Sequence, residues 1–197
     1  SEPVQVTLQL LPQPVIINEL LSGNTTGILT RTRPSVNESF TGDPTRPDWI
    51  ELRNLAARPL ELGGYFLTDD PANLVKWQFP ADTTIRAGGT RVVFASGLDL
   101  VDGALDEQGW LHTNFRLSSA GEFIALVNPQ GQIVQQFAPH LPEQRNDVAF
   151  GYAGAELRYL TPPSPGRDNS VATALRGFLG EITPGSFVSA PFQLTLA

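Results

Sequence analysis

The sequence predicts an all-β domain, a sandwich of two sheets, and three observations carry that reading. The 197 residues include 18 Gly, 17 Pro and 11 Phe with only 17% charged side chains, a composition suited to many short strands and tight turns rather than long amphipathic helices. Short runs of branched and aromatic residues recur along the chain, each closed by Gly, Pro or an Asp/Asn cluster, which is how paired strands are punctuated. A chain of this length buries one good core, so one domain with trimmings is expected.

The elements follow in order. Val4, Val6, Leu8 and Leu10 alternate with polar residues, the period of a half-buried strand, until Pro12 and Pro14 break the run. Val15 to Leu21 forms a second strand, whose unbroken apolar start predicts a central position with both faces covered. Residues 22–47 make a polar loop holding three Pro, too long for an ordinary connection and hence a candidate functional or flexible segment. Trp49, Ile50 and Leu52 begin the next strand, with Glu51 and Arg53 expected on the opposite face. Further strands are placed at 65–68, 75–79, 91–95, 123–128 and 133–137, with a weaker one at 148–152. Pro129-Gln130-Gly131 joins two of them, Pro presetting φ and Gly taking the left-handed position. About eight strands at this spacing predict two packed sheets, for which immunoglobulin-like topology is the commonest answer.

Charge and composition narrow the partners. The formal charge of -7 gives an average surface that repels phosphate. The one basic cluster, Arg31, Arg33 and Arg46, has no interleaved aromatics to stack on bases, so no nucleic-acid partner is expected. With no Cys, neither disulfides nor a thiolate metal site can hold the fold. The longest apolar run, Val15 to Ile17 with Leu20 and Leu21, is too short to span a bilayer, and no membrane insertion is expected. No signal peptide is visible, and the absence of Met suggests that Ser1 is the edge of a processed or excised piece.

Few residues could carry chemistry. Asp69 and Asp70 follow a strand with Asn73 nearby, and convergence with Asp48, Glu19 and Asp43 would offer oxygen ligands to a calcium ion. The competing reading is an Asp-rich turn whose side chains bond nearby backbone N–H groups. No Asp-x-Asp-x-Asp-Gly loop is present. His112 and His140 are the two imidazoles, and neither sits in a nucleophile motif. A Gly-x-Ser-x-Gly elbow, His-Glu-x-x-His and a phosphate-binding Gly loop are all missing, so no catalytic residue is assigned and His112 is expected to bond a neighbouring backbone group. Paired carboxylates for glycoside hydrolysis cannot be located from sequence. Trp49 and Trp77 read as core, whereas Trp110 follows Asp106-Glu107-Gln108-Gly109 and is the aromatic expected at the surface, where it could stack on a sugar or partner.

A series of motifs in one order carries a family resemblance over roughly residues 15–170. It comprises Ile17-Asn18-Glu19-Leu20, Asp48-Trp49-Ile50-Glu51-Leu52 with Asn54, Leu62-Gly63-Gly64-Tyr65-Phe66-Leu67-Thr68-Asp69-Asp70 and Trp77-Gln78-Phe79-Pro80. Ile85 to Gly89, Phe94-Ala95-Ser96-Gly97, Leu111 to Ser118, Glu122 to Leu126 and Thr161-Pro162-Pro163-Ser164-Pro165-Gly166 complete it. This resembles a lamin-tail domain, and the Asp69-Asp70 pair and His112 segment look like its bacterial branch. The resemblance implies an immunoglobulin-like, non-catalytic binding or spacer module of a larger exported or cell-surface bacterial protein, extracellular, mediating attachment or assembly. Its partners would be a protein or a cell-surface glycan and neighbouring domains of the same polypeptide. The alternative is a carbohydrate-binding or calcium-dependent adhesive module using Trp110 and the 22–47 loop. Beyond Ser170, the stretch from Ser189 to Leu196 resembles the first strand of a chitobiase C-terminal-like β-module. The expected division is therefore an N-terminal strand or linker at 1–14, the sandwich at 15–170, and a linker with the start of a truncated module at 171–197.

Overall fold

The computed structural model describes residues 14–137, 141–169 and 173–174, the last two by backbone alone. The strand expected at Val4 to Leu10, His140 and the Ser189 to Leu196 segment lie outside the described residues. Three sheets form. Seven strands make the largest, in the order β13-β12-β11-β1-β2-β7-β8. They are β1 (Val15–Leu21), β2 (Asp48–Asn54), β7 (Thr90–Ala95), β8 (Leu111–His112), β11 (Ala149–Ala153), β12 (Glu156–Thr161) and β13 (Thr173–Ala174). A four-stranded sheet runs β10-β9-β4-β5, built from β4 (Phe66–Thr68), β5 (Trp77–Gln78), β9 (Ile124–Val127) and β10 (Ile133–Phe137). The small third sheet pairs β3 (Leu60–Glu61) with β6 (Thr84–Ile85). Every pairing is antiparallel except β7 with β8.

The register of the large sheet sorts its residues into rows. Phe150, Leu20, Ile50 and Val93 align across four strands and belong to the main core with Ile17, Leu52, Leu67, Trp77, Phe79, Ile124 and Leu126. Burying each such side chain contributes about 1.5–3 kcal/mol. The adjacent row on the other face is Leu21, Trp49 and Phe94. These form a second, smaller core with Val92, Ala149 and Leu160, against which Ile28 and Trp110 pack. β1 is therefore central and covered on both faces, as its apolar run predicts.

A bulge decides what β1 shows on its outer face. The register shifts between Ile17 and Glu19, so Ile17 and Leu20 both point inward while Glu19 and Leu21 point outward. Such a bulge breaks the ladder locally. Here Ile17 N–H donates to Gln135 Oε1 at 2.6 Å, and Gln135 Nε2 donates back to Ile17 O at 3.4 Å, so the opposite sheet satisfies the groups the bulge frees.

The long 22–47 loop is tied down. Thr30 and Thr45 bridge each other, Asn24 Nδ2 donates to Ile28 O and Pro47 O, and Thr32 bridges Asp106. The expected 75–79 strand shortens to β5, and β8, β12, β13 and the β3–β6 pair are additional. Apart from the six-residue β12, these are two-residue strands, which carry no period of their own, so only their neighbours define them. The 129–131 hairpin forms as predicted, with Gly131 at φ 76° and its N–H donating to Asn128 O at 2.9 Å.

Candidate functional site

Two buried carboxylates sit side by side on the outer face of the large sheet. Glu19 and Glu51 are register partners and both are 0% exposed. Period-two alternation places Glu51 on the face away from the main core, which for one sheet alone would be solvent; instead a strap, residues 162–169, lies over it. Ser164 N–H donates to Glu19 Oε1 at 2.9 Å, and Ser164 Oγ lies 2.8 Å from Glu19 Oε2. Gly166 N–H donates to Glu51 Oε2, and Asn18 Nδ2 donates to Glu51 Oε1 at 2.8 Å. Asn169 closes the network, its Oδ1 3.2 Å from both Asn18 Nδ2 and Ser164 Oγ. Burial, with a smaller contribution from Glu51, pushes the Glu19 carboxyl up to about 7 against the donors from Ser164. Burial also raises Glu51, opposed by Asn18, Gly166 and Thr90. Both effects follow from removing a carboxylate from water.

A second array lies at the β7–β8 edge of the same sheet. His112, 0% exposed, has Nδ1 2.9 Å from Ser96 Oγ and Nε2 2.9 Å from Asp106 Oδ2. Asp106 also accepts from Thr30 Oγ1, Gln108 N–H and Trp110 N–H. Desolvation pushes this carboxyl up, but those donors together, His112 first, carry it below its ordinary value. The residue types are those of a hydrolase triad, and all three side chains are buried. The ring ties β8 to the end of β7, to the turn after η1 (Gly103–Leu105) and, through Thr30, to the long loop. His112 thus bonds side chains where a backbone partner was expected.

Of the five carboxylates considered for calcium, Asp43 is exposed in the long loop and the other four go to separate tasks. Glu19 holds the strap. Asp48 accepts from Gly23 N–H at 2.6 Å and Asn24 N–H at 3.3 Å, closing the start of the long loop. Asp69 lies 2.6 Å from Lys76 Nζ. Asp70 accepts from Ala72 N–H at 2.8 Å within a turn that Thr68 also braces, the Asp-rich turn of the competing reading. Among the described residues, no group of three or more His, Cys, Asp or Glu could hold a metal ion. The expected convergence of Glu19, Asp48, Asp69 and Asp70 does not occur among the described residues, because each carboxylate is held by a different partner: Ser164, Gly23 with Asn24, Lys76, and Ala72.

Trp110 is less buried than Trp49 and Trp77, as expected, but it does not stand free at the surface. It is half-buried, packed edge-to-face on Phe94 with ring centroids 5.9 Å apart. Phe94 is the apolar surface that draws it in. Trp49 and Trp77 are core, 0% and 2% exposed.

The open surface lies elsewhere. A cleft of about 670 Å³ runs beside β5, the edge of the four-stranded sheet, and is lined by Gly63, Gly64, residues 76–81, Asp99, Val101 and Asn114. Gly63 makes room for its wall, since a Cβ there would stand 2.6 Å from Ala81 O. Val75, Leu98 and Val101 are about half exposed, the first two adjoining the lining in sequence. No sequence signal pointed to this cleft, because it joins the 63–64, 76–81 and 99–101 turns only in three dimensions.

The seven-stranded and four-stranded sheets share one main core, which makes this an all-β sandwich. The lamin tail domain model matches residues 12–140, well over half of the chain, and this chain belongs to the lamin tail domain family, whose domains are typically non-catalytic. No curated protein sequence matches it. The match ends at residue 140, so β11, β12, β13 and the strap lie beyond it, although β11 pairs directly with β1.

Proposed function

We propose that this domain is a binding and spacer module of a larger exported or cell-surface bacterial protein, without catalysis of its own, and that it attaches that protein to a protein or cell-surface glycan. The observation that carries this reading is the open cleft beside β5. Its lining combines Pro80, Ala81 and Val101 with Lys76, Gln78 and Asn114, and Val75, Leu98 and Val101 are exposed at or near it. Binding sites of this kind pair apolar surface with a few polar groups that set orientation. The ionisable groups in the two buried arrays hold loops, which suits a module that must keep its shape while linking other parts.

Retention of the labelled domain on isolated bacterial envelopes tests the proposal, with Val75→Asp/Val101→Asp as the comparison. We expect retention by the unaltered domain and at least a tenfold loss in the double variant, with unchanged thermal unfolding. Equal retention of both proteins, or hydrolytic turnover abolished by His112→Ala, overturns it.

A further inference from the structure

The strap site contains one hydroxyl hydrogen fewer than its contacts require. Ser164 Oγ lies within hydrogen-bond distance of two oxygens, Glu19 Oε2 at 2.8 Å and Asn169 Oδ1 at 3.2 Å. A serine hydroxyl has one hydrogen to donate. The Asn169 amide is oriented by its Nδ2, which donates to Asn18 O at 3.3 Å, so its Oδ1 faces Ser164 as an acceptor. A hydrogen on Glu19 Oε2 completes the chain: Glu19 donates to Ser164 Oγ, and Ser164 donates to Asn169. Glu19 Oε1 remains the acceptor for Ser164 N–H. Glu51 differs, because Asn18 Nδ2, Gly166 N–H and the Thr90 side chain all donate to it, the surroundings of an ionised carboxylate.

We infer that Glu19 holds a proton on Oε2 in the closed molecule while its register partner Glu51 is ionised, so that the strap and the sheet beneath it form a one-proton latch. Two adjacent buried carboxylates cannot both be charged without strong mutual repulsion, and a single proton relieves it. Burial raises the Glu19 carboxyl to about 7, and the neighbouring Glu51 adds a smaller push in the same direction. The charged groups around the pair come from three elements. β2 supplies Arg53, which acts on Glu51 and lies 3.8 Å from Asp168 of the strap. The strap adds exposed Arg167 and Asp168. β12 carries Arg158, in register with Gly151 and paired with Glu156. β11 contributes only Gly151 opposite Glu19, and a side chain there would press on it, since a Cβ would stand 2.9 Å from Glu19 Cα. Arg158 is thus the cation in Glu19's register row, one strand beyond Gly151, and its guanidinium pairs with Glu156.

Lifting the strap exposes Glu19 and returns it to an ordinary carboxyl, so opening releases a proton. Hydrogen exchange at the Ser164 and Gly166 amides of the whole chain reads this. Corrected for intrinsic exchange, the opening constant should rise about tenfold per pH unit between pH ~5 and ~7 and then level off. Glu19→Gln supplies a permanent NH₂ donor to Ser164 Oγ and keeps the acceptor, so its strap should remain closed with no such slope. Glu51→Gln turns its NH₂ toward one of the two donors, Gly166 N–H or Asn18 Nδ2, and so should weaken the closed strap at every pH. A flat wild-type profile, or a Glu19→Gln profile that keeps the slope, overturns the latch. Should Glu51→Gln fail to fold, carboxyl NMR of Glu19 decides: a midpoint near 7 supports the proton site, and one near the ordinary 4.5 overturns it.

Discussion

The Glu19–Glu51 site, at the centre of the large sheet, and the Ser96–His112–Asp106 array, at its β8 edge, solve the same problem in different ways. Each removes a carboxylate from water, which by itself favours the neutral acid. Asp106 receives four donors, His112, Thr30, Gln108 and Trp110, and they outweigh desolvation. Glu19 receives donors from one residue, Ser164, and has an acid for a neighbour, so desolvation wins. The lesson is that the number of donors aimed at a buried carboxylate sets its charge, and charge sets the pH range in which the structure is strongest.

The largest test of this contrast is Asp106→Ala. It would leave Thr30, His112 and two backbone N–H groups facing a void, and removing one partner of a buried ionic array costs about 3–5 kcal/mol. Urea unfolding should register that loss; a cost below about 1 kcal/mol would show that the array does not hold the loops. Next comes the opposite pH response of the two sites. Glu19, raised from 4.5 to about 7, contributes stability that is complete below the unfolded value and disappears as pH rises through 7, about 3 kcal/mol at the upper bound. Asp106, lowered from its ordinary value, contributes stability present above that value and lost as pH falls. Unfolding temperature against pH should therefore show Glu19→Gln removing the neutral-range decline and Asp106→Asn reducing the acid-side loss. If both variants alter the same limb, the contrast fails.

A smaller effect is expected from Gly151→Ala, which changes neither carboxylate but crowds the backbone beside one of them. Its Cβ would stand 2.5 Å from Asn18 O and 2.9 Å from Glu19 Cα, and overpacking of this kind costs about 1–3 kcal/mol. At roughly 2–4 °C per kcal/mol for a domain of this size, the melting temperature should fall by several degrees; an unchanged value would mean that β11 shifts freely against β1. The smallest effect is Asp147→Asn. Asp147 accepts from Thr25 and Thr26 at the surface, and those bonds hold it at about 2 against desolvation. Solvent screening limits the pair's contribution to about 0.5 kcal/mol, lost as pH falls from about 4 toward 2. Asn tolerates the left-handed backbone there, φ 56°, so the difference between wild type and variant at neutral pH isolates the charge.

Local signals made most of the sandwich legible. Alternating or continuous apolar runs located β1, β2, β7, β9, β10 and β11, because a strand buried on one or both faces must carry that pattern wherever it pairs. The Pro-Gln-Gly turn and the Asp69-Asp70 turn were readable because their hydrogen bonds close within five residues. Trp110 was legible only in part: it is the least buried tryptophan, but Phe94, which packs on its ring, lies sixteen residues earlier.

The sequence by itself thus determined the fold class, the central strand and the core tryptophans, all of which follow from the period and apolar character of neighbouring residues. Only the tertiary structure decided the fate of the carboxylates. Glu19 meets Ser164 across 145 residues of chain, and Glu51 meets Gly166 across 115. A bulge at Asn18 turns Glu19 to the face the strap covers. Whether an acid is charged, solvated or locked under a segment depends on the donors that reach it in space, and their positions depend on contacts far apart in the chain.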